Sequence, residues 1–281
     1  MAERRYPISA WVRTAGVALL CFACRPVEPA PRDQDALVHR FWAGFEVDDD
    51  AAMQEALRAL EEVTDEVAVQ DEHTEGESTR MSAEEQALVP LEGDPRPDPA
   101  AARGLTVTYG YTCDMADLAD VLVFADQNAV YDVYDDYARR FDEDTAPFVA
   151  GTDPFTGWTG DIAATIPLFG SYDYTFRTEL RRVPLPDDFP EAGDAILART
   201  FMVAPAAWSK ENGGFPQDYQ IEVYYPSQGA VVHFTGIWRE MNVSPELTME
   251  GDIVIRTTVS QMIKWDDTTE RVCAEGLPAP G

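Results

Sequence analysis

Residues 105–113 read LTVTYGYTC, and this stretch alternates without a break. Leu105, Val107, Tyr109, Tyr111 and Cys113 fall on one side of an extended chain, and Thr106, Thr108, Gly110 and Thr112 on the other. Strand side chains point alternately to opposite faces, so a strict period of two predicts a half-buried strand. The same period returns further on. Ile162, Ala164, Ile166 and Leu168 form one apolar row. Tyr172, Tyr174, Phe176 and Leu180 form the next, with Asp173, Arg177, Glu179 and Arg181 opposite. Residues 195–203 make another strand. Tyr219, Ile221, Val223 and Tyr225 follow against Asp218, Gln220 and Glu222, and after the turn YPSQGA comes 231–240. Strands joined by short turns pair antiparallel. The chain is therefore committed to an antiparallel sheet of about six strands.

Helical spacing breaks this pattern in three places. Between the first strand and the rest, 116–141 reads as a helical insertion whose second half is marked by Val130, Val133, Tyr134, Tyr137 and Phe141. At the far end, 252–264 is rich in β-branched residues that suit a strand. Ile255, Val259, Met262 and Ile263 also share a helical face, and the helical reading is preferred. Asp267 with Glu270 then caps a last short helix ending near Cys273. Upstream, Val38, Phe41, Trp42 and Phe45, then Met53, Leu57, Leu60 and Val63, predict a helical pair over 35–63. Residues 64–103 are acidic and poor in aromatics, which reads as a disordered linker. Within it Ser82 and Glu85 have capping-box spacing.

The N-terminus has a different character. Arg4, Arg5 and Arg13 precede an uncharged run, Thr14 to Ala23, that is too short for a membrane span of about 20 residues. A positive flank and a short apolar core mark a secretory signal. Pro26, Pro29 and Pro31 follow and exclude a continuing helix. Here the chain resembles a bacterial lipoprotein precursor: Ala23–Cys24 matches the last two lipobox positions, while Cys21 and Phe22 depart from the first two. The resemblance implies a lipid on Cys24, a membrane partner held through that lipid, and a place in the cell envelope. With Cys24 acylated, Cys113 and Cys273 remain, and in an exported chain two such thiols are expected to pair. A disulfide closing so long a loop is worth up to roughly 5 kcal/mol in chain entropy.

Composition sharpens these limits. The chain carries 51 acidic against 21 basic residues, a net charge of −30. Such a surface repels nucleic-acid phosphates, so nucleic acid is excluded as a partner. It also repels anionic lipid headgroups, which leaves the acyl chain as the means of membrane attachment. The acidic clusters at Asp48–Asp50 and Asp135–Asp144 lack EF-hand spacing and read as solvated charge.

The element order is one strand, helices, five antiparallel strands and a terminal helix. It resembles the START-like helix-grip fold, an α+β arrangement in which a curved antiparallel sheet wraps a C-terminal helix. A lipocalin-like β-barrel is the alternative if 252–264 is a strand. The chain then divides into a signal peptide (1–23), a proline-rich tether (24–34), the helical pair (35–63), the acidic linker (64–103), the α+β domain (104–275) and a tail (276–281). START-like folds imply a hydrophobic or amphipathic small molecule held between sheet and helix. The aromatic residues on the apolar strand faces, Tyr109, Tyr111, Tyr174, Phe176, Tyr219, Tyr225 and Trp238, are the expected ligand-binding set. Buried tyrosine hydroxyls need partners, which suits a partly wet cavity. The rival is a structural or interaction lipoprotein with a filled core.

Enzymatic chemistry ranks third; it enters because some START-like relatives are cyclases or hydrolases. No HExxH, GxSxG, phosphate-loop or GxGxxG motif is present, and no cofactor or metal is called for. Of three histidines only His233 lies in the β domain, and it reads as a surface or rim residue. Arg177, Glu179, Arg181, Glu222 and Arg239 are expected to pair across strands on the outer face.

Overall fold

The computed structural model describes residues 29–47, 49–70, 73–93, 96–166, 168, 170–211 and 213–278. The signal peptide and Cys24 lie outside the described residues.

Two helices open the fold, α1 (Gln34–Gly44) and α2 (Asp50–Gln70). Then come β1 (Thr74–Ser78), the single turn α3 (Ala83–Gln86), β2 (Arg103–Tyr111), α4 (Met115–Leu122), β3 (Asp136–Phe141) and a second single turn, α5 (Ala146–Val149). The long strands follow: β4 (Phe155–Ile166), β5 (Gly170–Pro184) and β6 (Asp194–Met202). After the short β7 (Ala207–Trp208) come β8 (Gly214–Ser227), β9 (Ala230–Ser244) and the short β10 (Leu247–Thr248). A long helix, α6 (Asp252–Glu275), closes the chain.

All ten strands among the described residues form one antiparallel sheet in the order β1-β2-β9-β8-β6-β5-β4-β3, with β10 on β9 and β7 on β5. The edges β1 and β3 do not meet, so the sheet is open and the barrel alternative is set aside. The observed class is the expected α+β sheet with a C-terminal helix. The strand count exceeds six because four short or edge strands extend the six long ones.

Three local expectations are corrected. The helix expected over 116–141 stops at Leu122, and Asp136–Phe141 is the edge strand β3. Pairing decides this: Tyr137 lies opposite Ile162 and Phe141 opposite Trp158, both contacts to an apolar neighbour that a helix would forgo. The expected linker over 64–103 is not a disordered one. Beyond α2 it supplies β1, which pairs with β2 from Thr74↔Thr108 to Ser78↔Gly104. It also supplies α3, whose Ser82–Glu85 capping box is complete, and Met81, Gln86 and Val89 are buried. Finally, α6 runs unbroken through Asp267. That residue and Glu270 are occupied laterally, by the Tyr109 hydroxyl at 2.7 Å and the Thr112 hydroxyl at 2.9 Å, instead of capping a second helix.

Both faces of the sheet are covered. On the outer face, Leu37, Val38, Phe41 and Trp42 of α1 and Met53, Leu57 and Leu60 of α2 pack against Tyr219, Ile221, Val223, Tyr225, Phe234 and Trp238. Gly236 permits this approach, since a Cβ there would lie 1.5 Å from Val38 Cγ2. Arg181, buried on the same side, donates to the carbonyls of Phe45 and Val47 at 2.8 Å each and pairs with Asp50 at 2.7 Å. The β8–β9 hairpin turns on Gln228 and Gly229, both at positive φ (53° and 80°), the geometry that two-residue hairpins prefer. The inner face receives α4 and α6. Cys113, just past β2, is disulfide-bonded to Cys273 near the end of α6, which pins the helix to the sheet.

Candidate functional site

Between the inner face and α6 lies a cavity of about 170 Å³. Its floor follows from strand register. Trp158, Thr178, Thr200 and Gln220 are successive cross-strand partners through β4, β5, β6 and β8, and all four line the cavity. A second row, Leu180, Ala198, Glu222 and Thr235, runs beside it through β5, β6, β8 and β9. Tyr174, Phe176, Ile162 and Met202 add apolar wall, while Thr258, Gln261, Met262 and Trp265 of α6 form the roof.

The floor carries buried charge. Asp218 on β8 faces Arg239 on β9, and its Oδ2 accepts from Arg239 Nη2 at 2.5 Å and Nε at 3.2 Å. Its other oxygen, Oδ1, is buried without a hydrogen-bond partner. Burial raises the Asp218 carboxyl above its ordinary value in spite of the arginine. Glu222, four residues on in the same strand, accepts from the Tyr224 hydroxyl at 3.0 Å. Burial raises its carboxyl too, against the opposing charge of His233. At the other side, Arg139 of β3 lies 4.3 Å over the Trp158 ring. It donates to the carbonyls of Leu122 and Phe124 and to the Tyr137 hydroxyl; it makes no hydrogen bond to a carboxylate among the described residues, though its charge reaches Glu222. The Trp158 indole N–H is buried and likewise unpartnered.

Next to the cavity His233 is buried, not at a rim. Its Nδ1 lies 2.7 Å from Asp266 Oδ1 on α6 and its Nε2 2.7 Å from the Thr235 hydroxyl. The Tyr111 hydroxyl donates to the same Asp266 oxygen at 2.6 Å. Burial pulls the imidazole down, but the charge and hydrogen bond of Asp266, with Glu222 behind them, outweigh it and hold the ring above its ordinary value. Among the described residues no cluster of three or more His, Cys, Asp or Glu is placed to hold a metal ion.

The expected aromatic set is divided between two faces. Tyr174 and Phe176 line the cavity. Tyr109 and Tyr111 lie beneath α6, committed to Asp267 and Asp266. Tyr219, Tyr225 and Trp238 are on the outer face under the N-terminal helices and do not line the cavity. Tyr219 accepts from Gln86, Tyr225 bonds Thr64, and Trp238 donates to the Thr79 carbonyl. The reason is parity: Tyr219 and Tyr225 share a face with Ile221 and Val223, and α1 and α2 cover that face. The alternate residues Asp218, Gln220 and Glu222 must then point inward. Glu222 and Arg239, expected in outer-face pairs, therefore belong to the cavity. The signal for this was present in β8, where two carboxylates and an amide alternate with no lysine or arginine to balance them in their own strand.

No protein-family model matches the chain, and no curated protein sequence matches it. Among solved structures the chain is similar to a STAR-related lipid transfer protein (fragment 25-204) from Xanthomonas axonopodis, at 14% identity over 55% of this chain and 73% of that one, with a TM-score of 0.32. It is similar to Ara h 8.0201 at 8% identity over 62% of this chain and 99% of that one, with a TM-score of 0.35. It is also similar to the di-domain ARO/CYC StfQ from the steffimycin biosynthetic pathway, at 12% identity over 80% of this chain and a TM-score of 0.32. The match spans only 57% of StfQ. The fold assignment stands on the chain's own topology.

Proposed function

We propose that the domain binds a small amphipathic molecule between sheet and α6, and that the chain does so in the cell envelope, anchored by a lipid on Cys24. The observation that carries the binding reading is the cavity itself, with apolar walls and a floor of buried hydrogen-bonding groups left incompletely satisfied. A core selected only for packing leaves few such groups. At about 170 Å³ the space is below the usual 300–1,000 Å³ of ligand pockets, which selects a small or slender ligand. The Cys113–Cys273 bridge supports an oxidising compartment.

Native mass spectrometry of the protein extracted from membranes tests both parts. The expected spectrum shows a non-covalent adduct of a few hundred daltons, and a diacylglycerol mass on the N-terminal peptide that Cys24→Ser abolishes. A protein that extracts cleanly without adduct, and that takes up none when incubated with a total lipid and metabolite extract, would refute the binding reading. A soluble protein with unmodified Cys24 would refute the anchor.

A second reading, proton-transfer catalysis on the bound molecule, is favoured by one observation: Glu222, its pKa raised by burial, lies on the cavity floor with the charge of His233 near it. Turnover lost in Glu222→Gln with ligand affinity retained would establish it.

A further inference from the structure

On the cavity floor the unfilled valences are not scattered; one more, the Trp265 indole N–H, lies on the roof. On the β3–β4 side stands the Trp158 indole N–H, with no partner, and over its ring the Arg139 guanidinium, whose hydrogen bonds go to two carbonyls and the Tyr137 hydroxyl and not to a carboxylate among the described residues. Both are donors. On the β8 side stands Asp218 Oδ1, an acceptor with no partner, with the Glu222 carboxyl on the same strand. Trp158 and Asp218 are both buried, at 3% exposure each. Between them the floor is neutral: Thr178 and Thr200 bond each other through their hydroxyls at 2.9 Å, which satisfies them internally. Trp158 is separated from the β8 row by three strand steps, on the order of 14 Å of backbone at about 4.8 Å per step.

We propose that the cavity selects a slender bipolar molecule, with a carboxylate toward Trp158 and Arg139 and a hydroxyl donor toward Asp218. This rests on the binding reading above and adds polarity and direction to it. A buried polar atom left unmade costs far more than a made bond returns, so a purely apolar ligand would leave both ends desolvated and unpaired. A carboxylate meets the donors at one end, where the fixed fork of an arginine is well matched to it. A hydroxyl meets the free carboxylate oxygen at the other. At about 170 Å³ the space is slightly larger than the 150 Å³ cavity that admits benzene, a molecule of six non-hydrogen atoms. An eight-carbon chain with a group at each end is at the upper limit of that space and is long enough to reach across the floor.

Isothermal titration calorimetry of the full disulfide-bonded chain with 8-hydroxyoctanoate, octanoate, 1-octanol and toluene tests this. The hydroxy acid is expected to bind tightest, with octanoate and octanol each roughly tenfold weaker, since each lacks one charge-assisted bond. Trp158→Phe keeps the ring and removes the N–H. It is expected to weaken the two acids by roughly tenfold and to leave octanol unchanged. Asp218→Asn should reverse that pattern, weakening octanol and the hydroxy acid while sparing octanoate. If it fails to fold, the Trp158 variant alone decides. Equal binding of all four probes, or loss of octanol binding in Trp158→Phe, overturns the bipolar assignment and leaves small-molecule binding standing. Binding of none of the four, with an adduct still found on the extracted protein, has the same meaning. Binding of none and no adduct defeats both.

Discussion

Tyr224 and His233 lie face to face, their ring centroids 4.2 Å apart and 6° from parallel. They are direct antiparallel partners of β8 and β9, so the sheet's own register builds the stack. With one face of the imidazole set against Tyr224 by that register, its two nitrogens are aimed sideways, one at Thr235 and one at Asp266 of α6. His233 is thus where the sheet takes hold of the helix that roofs the cavity. The bond matters because Asp266 is buried and its charge needs a partner.

Replacing His233 by Phe keeps an aromatic ring on Tyr224 and leaves Asp266, among the described residues, with only the Tyr111 hydroxyl. The expected cost is about 3 kcal/mol, the range for breaking one side of a buried pair. Asp266→Leu should cost a similar amount. The double variant should cost clearly less than the two singles added, because it buries no unpaired charge. Urea unfolding of the four proteins reads this directly, and strict additivity would rule out the coupling.

The same pair has a pH signature. His233 binds its proton more tightly in the folded chain than its ordinary value of 6.5 allows. Its contribution to stability is therefore complete below about pH 6.5 and is lost as pH rises through the higher folded value. Asp218 and Glu222, raised by burial, also favour the folded state toward acid, but their loss begins lower, from the ordinary carboxylate range. The melting-temperature gap between wild type and His233→Gln isolates the imidazole. It should be widest near pH 5.5 and narrow by pH 8.5; a gap that is constant or grows with pH contradicts the assignment.

Six long strands and the terminal helix were legible because period two and period 3.6 are local signals, written in the few residues they arrange. The cavity was not, because which strand face points inward is a property of the layers. Tyr219 and Trp238 look like cavity residues in their strands, and only the placement of α1 and α2 turns that face into a packed outer core. Edge strands fail for a related reason: β1, with Glu75 and Glu77 and no apolar row, is held mainly by backbone bonds to β2, which leave little trace in side-chain pattern. Cys113 and Cys273 could be paired by elimination, and the structure joins them.

That disulfide spans 160 residues and ties the end of the first inner strand to the last turn of α6. Opening it frees a long loop in the unfolded chain, at an expected cost of about 2–5 kcal/mol. Cys113→Ser, Cys273→Ser and the double variant should be equally destabilised in denaturant titrations, since each breaks the same bond. Addition of reductant should lower wild type to their level and leave the variants unchanged. Variants as stable as the oxidised protein would show that the bridge contributes nothing to the hold on α6.

Gly236 tests whether the two faces of the sheet are independent. A methyl at this position of β9 would sit 1.5 Å from Val38 Cγ2 and 3.3 Å from Ile221 Cγ2, so Gly236→Ala cannot be accommodated while α1 stays seated. Overpacking of this kind typically costs about 1–3 kcal/mol. Truncating Val38 removes the atom in the way, so the Gly236→Ala, Val38→Ala double variant should recover part of the loss although Val38→Ala alone destabilises. The cavity lies on the opposite side of β9, reached by Thr235 and Ile237 and not by Gly236. Ligand affinity in Gly236→Ala should therefore match wild type at temperatures where the variant is folded, while limited proteolysis cuts faster between α1 and α2. Affinity that falls with the seating of α1 would mean that the outer helices set the shape of the inner face, and that the sheet transmits what happens on one side to the other.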